Sequence, residues 1–150
     1  MGKSSGIEKG RYWPVFESPF LQGIVSALQK RSKSIKNRVA KYSCERLREQ
    51  ADADMRELVE LSFDLRVPDS TRISVKIWDD RWLWVDVRQS SKVGWVFEWQ
   101  HEGRVGDTDP KSVAAAIHKT VEGQFVQDLD ETLAGLDSLW SKIAKNGPVG

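Results

Sequence analysis

The sequence predicts an α+β fold: a three-stranded antiparallel β-meander over about 72–101, packed with N-terminal helices over about 19–65 and C-terminal helices over about 110–145. Three observations carry it. Apolar and polar residues alternate at period two between Arg72 and His101, a stretch that holds five of the seven tryptophans. Segments on either side repeat apolar residues three and four apart, the spacing of a helix with one buried face. Ser18-Pro19 and Asp109-Pro110 each place a capping side chain before a proline, which is tolerated in a first helical turn because the N–H it lacks has no partner there. Helices, strands and helices in that order make a two-layer domain.

Taken along the chain, 1–10 is a Gly/Ser/Lys-rich tail, 11–146 a single domain and 147–150 a flexible end. Tyr12 to Phe16 is an aromatic cluster that pins the tail to the body. Ser18 caps a first helix in which Leu21, Ile24, Val25 and Leu28 share a face, reaching about Arg31. Ile35, Val39 and Tyr42 continue a stripe, and Leu47, Ala51, Met55, Leu58 and Leu61 form another, shifted near Ser43 and Cys44. Glu45 to Glu60 is rich in strong helix formers, so the reading is a long helix with a kink or phase change, stopped at Val67-Pro68-Asp69. Asp79-Asp80-Arg81 turns the first hairpin, with Trp78 opposite Trp82. After the sheet, Val113, Ala114, Ile117 and Val121 give one helical face. Leu129, Leu133, Leu136, Trp140 and Ile143 then give the cleanest stripe in the chain, ended by Asn146-Gly147-Pro148.

The second hairpin admits two registers. A four-residue loop, Gln89 to Lys92, pairs Arg88 with Val93 and sets Trp95, Phe97 and Trp99 beside Trp82 and Trp84. This is the expected arrangement, an aromatic wall on one face and aliphatic residues on the other. A shift of one residue moves the whole third strand to the other face and brings Asp86 beside Glu98. An aromatic wall can anchor a protein interface or stack nucleic-acid bases. Its ordinary explanation is burial beneath Trp13, Phe16, Phe20 or the last helix.

The net charge of +1 hides an asymmetry. Residues 1–50 carry 11 Lys/Arg against 4 Asp/Glu, and residues 51–150 carry 12 against 18. Either the first third meets an acidic partner or the two parts neutralise each other within the fold. Lys30, Lys33, Arg38, Lys41 and Arg48 fall on one face if 30–48 is a single helix, a surface suited to phosphates with salt-dependent affinity. A solvated lysine-rich face is the plainer reading. A single cysteine, Cys44, excludes an internal disulfide and a thiolate metal cluster and fits a reducing cytosol. No apolar run approaches the ~20 residues that span a bilayer. Nor do the first ten residues show the apolar core of a signal peptide, so a cytoplasmic protein with no membrane contact is expected.

Few residues suggest catalysis. Asp86 on the second strand and Glu98-Trp99-Gln100 on the third resemble the core of the PD-(D/E)xK nuclease superfamily. That resemblance implies Asp86 and Glu98 as ligands of a divalent cation, with Gln100 where the family carries lysine. The helix–strands–helix order is also similar to the double-stranded-RNA-binding domain. Lys111-Ser112-Val113-Ala114-Ala115 then stands at the start of its last helix, without that family's basic cluster. His101 and His118 have no carboxylate or cysteine at ligand spacing, Asp107-Thr108-Asp109 is explained by helix capping, and no glycine-rich phosphate loop is present. Arg46 and Arg48 beside Cys44 would favour its thiolate, but no His or Asn arrangement supports a nucleophile. The expected function is a small non-enzymatic binding, adaptor or regulatory protein without a cofactor or metal. It would act through a protein partner or self-association, by way of Trp78, Trp82, Trp84, Trp95 and Trp99 or the last helix. The alternatives are nucleic-acid binding through the basic helix and the tryptophan face, and a degenerate nuclease.

Overall fold

A computed structural model describes residues 13–51, 54–66, 70–91, 94–123 and 129–145. The expected tail at 1–10, the end at 147–150 and the proline stop at 67–69 lie outside them. Helices α1 (Pro19–Lys30) and α2 (Ser32–Arg38) precede five strands: β1 (Val39–Ala51), β2 (Asp54–Leu65), β3 (Thr71–Trp78), β4 (Trp82–Ser91) and β5 (Gly94–Arg104). Helices α3 (Pro110–Val121) and α4 (Leu129–Lys145) follow. The strands form one antiparallel sheet whose spatial order is the chain order.

The proline-started helices are where the caps place them. Ser18 accepts from the Leu21 amide and Asp109 from the Ser112 amide, each satisfying a donor the helix leaves free. The same residues that repeat at helical spacing, Leu21, Ile24, Val25, Leu28, Val113, Ala114, Ile117 and Val121, are buried.

The α+β class and the antiparallel sheet stand, but the sheet has five strands rather than three. The helix expected through Glu45–Glu60 is instead the β1–β2 hairpin, paired Leu47 to Leu58 and Cys44 to Leu61. Its helical propensity is real, yet Val59, Leu61, Phe63 and Leu65 alternate at period two and all four are buried. Leu58 is also buried on the opposite face, which blurs that alternation in the sequence. Propensity differences of a few tenths of a kcal/mol per residue yield to that burial, worth roughly 1.5–3 kcal/mol for each large apolar side chain. The residues of the supposed helical stripe confirm the point from the other side: Leu47 and Met55 are exposed.

All four helices gather on one face of the sheet. That face presents Val59, Leu61, Phe63, Ile73, Val75, Ile77, Leu83, Val85, Val87 and Trp99 to a core shared with α1, α3 and α4. α1 crosses α3 closely because Gly23 has no side chain; a Cβ there would lie 2.8 Å from the Pro110 Cβ. Polar contacts help fasten α4. Trp140 donates through Nε1 to Thr120 Oγ1 (2.9 Å), Trp99 donates to Asp137 (2.7 Å), and Thr108 donates to the Ile143 carbonyl (2.9 Å). The other face of the sheet is covered by none of the described helices.

Candidate binding surface on the open face of the sheet

The open face is decided by the register of β4 on β5. Ser91 pairs with Gly94 and Ser90 with Trp95, but the next pair is Gln89 with Phe97, so Val96 is an extra residue on β5. This bulge reverses which side chains share a face. Beyond it Arg88 lies opposite Glu98, Asp86 opposite Gln100 and Trp84 opposite Glu102. The expected aromatic wall is therefore not formed. Trp99 points to the other face and is buried against α4, and it is no surface residue. Trp95 takes its place in β5, and its side chain lies outside the description. A pairing without the bulge would have built the wall; one inserted residue is invisible to a periodicity argument.

The register does bring the nuclease-like residues together. Gln100 Nε2 donates to Asp86 Oδ1 at 2.9 Å and to Glu98 Oε2 at 3.3 Å. Between the two carboxylates sits the Arg88 guanidinium, with Nε 2.9 Å from Asp86 and 3.0 Å from Glu98. The place a divalent cation would take between them is thus held by the protein's own cation. Among the described residues no group of three or more His, Cys, Asp or Glu is arranged to hold a metal ion.

Three tryptophans remain on the open face, grouped at one corner. Trp78 ends β3 and Trp82 begins β4 across the Asp79-Asp80-Arg81 turn, as the sequence predicts, and Trp84 follows two residues on. All three are half-buried. Leu47, Leu58 and Trp78 are successive cross-strand partners on β1, β2 and β3, which extends the corner as an apolar row. Arg56 lies over the Trp78 ring (5.6 Å) and Lys76 over the Trp84 ring (5.4 Å). The indole N–H groups point to carboxylates, Trp78 to Glu49 (3.1 Å) and Trp82 to Glu102 (3.2 Å). Contacts thus tie four carboxylates to this corner, Glu49 and Glu102 on the indole N–H groups and Asp80 and Glu60 on the two cations over the rings, Arg56 (3.4 Å) and Lys76 (3.7 Å).

The predicted basic residues do not form one face. Lys30 ends α1, Lys33 and Arg38 lie in α2, and Lys41 is the third residue of β1, so these four gather at one end of the sheet. Arg48 lies far along β1, at the other end, because 30–48 is two short helices and a strand. The basic end and the tryptophan corner are also apart. Eight residue steps of β1 separate Val39 from Leu47, about 26 Å at ~3.3 Å per residue.

Two further polar sites escaped the sequence reading. Glu57, buried on the helix side of β2, accepts from the amides of Glu17 (2.9 Å) and Ser18 (2.8 Å) and from Arg46 Nε. Burial works against its charge, but these hydrogen bonds and the guanidinium outweigh it and hold the carboxyl below the usual carboxylate range. His118 receives Arg31 Nη1 at its Nδ1 (2.9 Å), and its Nε2 lies 2.9 Å from Ser34 Oγ and 3.1 Å from Glu122. Arginine can only donate, so Nδ1 accepts and the ring proton is on Nε2. Glu57 has no short-range signal in sequence. At His118 the i,i+4 spacing to Glu122 is one, contrary to the expectation that this histidine has no carboxylate at ligand spacing, while Arg31 and Ser34 come from distant elements. Cys44 is buried, and burial, with the neighbouring Glu45, pushes its thiol up to about 12, the opposite of the thiolate its flanking arginines suggest. Comparison with protein-family models, curated proteins and solved structures gives no match.

Proposed function

We propose that this protein is a non-enzymatic binding protein that engages a protein partner through the tryptophan corner of its open sheet face, and that the partner segment is basic. The reading is carried by one observation: Trp78, Trp82 and Trp84 stand side by side, half exposed, on the face no described helix covers, within a surplus of carboxylates. Tryptophan dominates the energetic centres of protein interfaces. Its ring faces attract cations, as the intramolecular Arg56 and Lys76 contacts illustrate. The same carboxylates would repel a phosphate backbone, which disfavours nucleic acid at this corner.

The test is fluorescence anisotropy of a dye-labelled arginine-rich peptide, compared with a glutamate-rich peptide of equal length. Saturable binding of the first alone, weakened about tenfold (about 1.4 kcal/mol) by Trp82→Ala with Trp84→Ala, is expected. Equal affinity for both peptides, or no effect of the double substitution, overturns it.

The exposed cluster of Lys30, Lys33 and Lys41 with Arg38 favours a second reading, nucleic-acid binding at the opposite end. A labelled single-stranded oligonucleotide would then bind with affinity falling steeply as salt rises. Lys33→Glu, Arg38→Glu and Lys41→Glu together would abolish it, and binding that survives this triple reversal ends the idea.

A further inference from the structure

Between α1 and the start of α3 lies a groove of about 650 Å³, away from the sheet face considered above. Its floor is made of small side chains on one side of α1, Gly23, Ser26 and Ala27, with the Pro110 ring opposite. Lys30, Arg31 and Lys111 stand at its rim with one carboxylate, Asp109. That carboxylate is already committed to the Ser112 amide at 2.8 Å, where it caps α3. Lys111 also feels the Asp109 charge, but among the described residues none of the three cations forms an ion pair, and Arg31 contacts Nδ1 of His118. The exposed Lys33 and Lys36 of α2 follow directly on Lys30 and Arg31 and add positive charge at that end of the groove.

The geometry points to a binding site for a small organic anion, an apolar and preferably flat body bearing a phosphate or carboxylate, seated on Ala27 and Pro110 with its charge toward Lys30, Arg31 and Lys111. The volume falls within the range of small-molecule sites, which are mostly apolar with a few converging polar groups. The smooth floor gives an apolar body area to cover, and three cations against one carboxylate select its sign. This site does not depend on the tryptophan corner.

Phenyl phosphate and benzylamine share an apolar body and differ in charge, so they separate the two contributions, and inorganic phosphate isolates the charge alone. In amide-resolved NMR titrations of the full chain, phenyl phosphate is expected to shift Gly23, Ser26, Ala27 and Lys111 saturably. Inorganic phosphate should shift them about tenfold more weakly and benzylamine not at all. Lys30→Glu with Lys111→Glu should remove the response. Ser26→Trp, which fills the groove and keeps the charges, should remove it as well, with the amide of Trp140 unmoved in each variant as the check on folding. Equal responses to benzylamine and phenyl phosphate, shifts confined to other residues, or a response unchanged in both variants overturns the proposal.

Discussion

Glu57 binds three pieces of the molecule at one carboxylate: the approach to α1 through the Glu17 and Ser18 amides, β1 through Arg46, and β2 on which it sits. Because its folded-state carboxyl is held below the ordinary value, its contribution is complete above the unfolded value of about 4.3 and is lost as pH falls through the folded one. Glu57→Gln keeps the shape but leaves Arg46 with only the longer, exposed Glu17 contact (3.8 Å) and weakens two amide contacts. A loss of about 2–3 kcal/mol is expected from chemical denaturation at neutral pH, as for hydrogen bonds to buried charged groups. The gap between variant and parent should close in acid; a gap that persists unchanged at low pH would show that the charge is not what stabilises. Nothing near Glu57 in sequence announces this role, since Glu17 lies 40 positions away.

At the scale of elements, the contact of α1 with α3 depends on Gly23. In an isolated helix Gly23→Ala would be favourable by about 1 kcal/mol. Here the new methyl meets a proline ring that cannot turn aside, so a net loss of about 1–3 kcal/mol is expected, read as a lowered denaturation midpoint. A gain in stability would show that the helices separate freely. The helices were the most legible part of the sequence, because a cap, a proline and a 3.6-residue stripe are all local. β3, β4 and the first turn were legible for the same reason. Misreading β1 and β2 has a physical origin: strands made of Glu, Arg, Leu and Met gain their conformation from neighbours, and those neighbours arrive only with the fold. The bulge at Val96 is a further case, as it alters faces without altering composition. The candidate site was legible in its parts, three of the five sheet tryptophans and the Asp86–Glu98–Gln100 set, but not in how those parts would be sorted between the faces.

For the whole molecule, the charge asymmetry noted along the chain becomes an asymmetry in space. Lys30, Lys33, Lys36 and Lys41 gather at the α2 end and the tryptophans stand at the other, while part of the first third's positive charge is met within the fold, Arg46 by Glu57 and Arg38 by Glu122. Cys44 reports on the integrity of this body. Buried in β1 and kept as a thiol, it should resist iodoacetamide in native buffer and react at a rate that rises with denaturant in step with global unfolding. Fast alkylation under native conditions would mean that β1 opens by itself.

The agreement of spatial with sequential strand order has one more consequence, in the time domain. Each strand can join the sheet by closing a short turn, at small entropic expense. Arg31 and His118, by contrast, are 87 residues apart, and closing a flexible loop of that length costs about 4 kcal/mol. A completed meander shortens that loop to the width of a sheet. By loop-closure entropy, the ladder of hairpins is the template on which α1 finds α3.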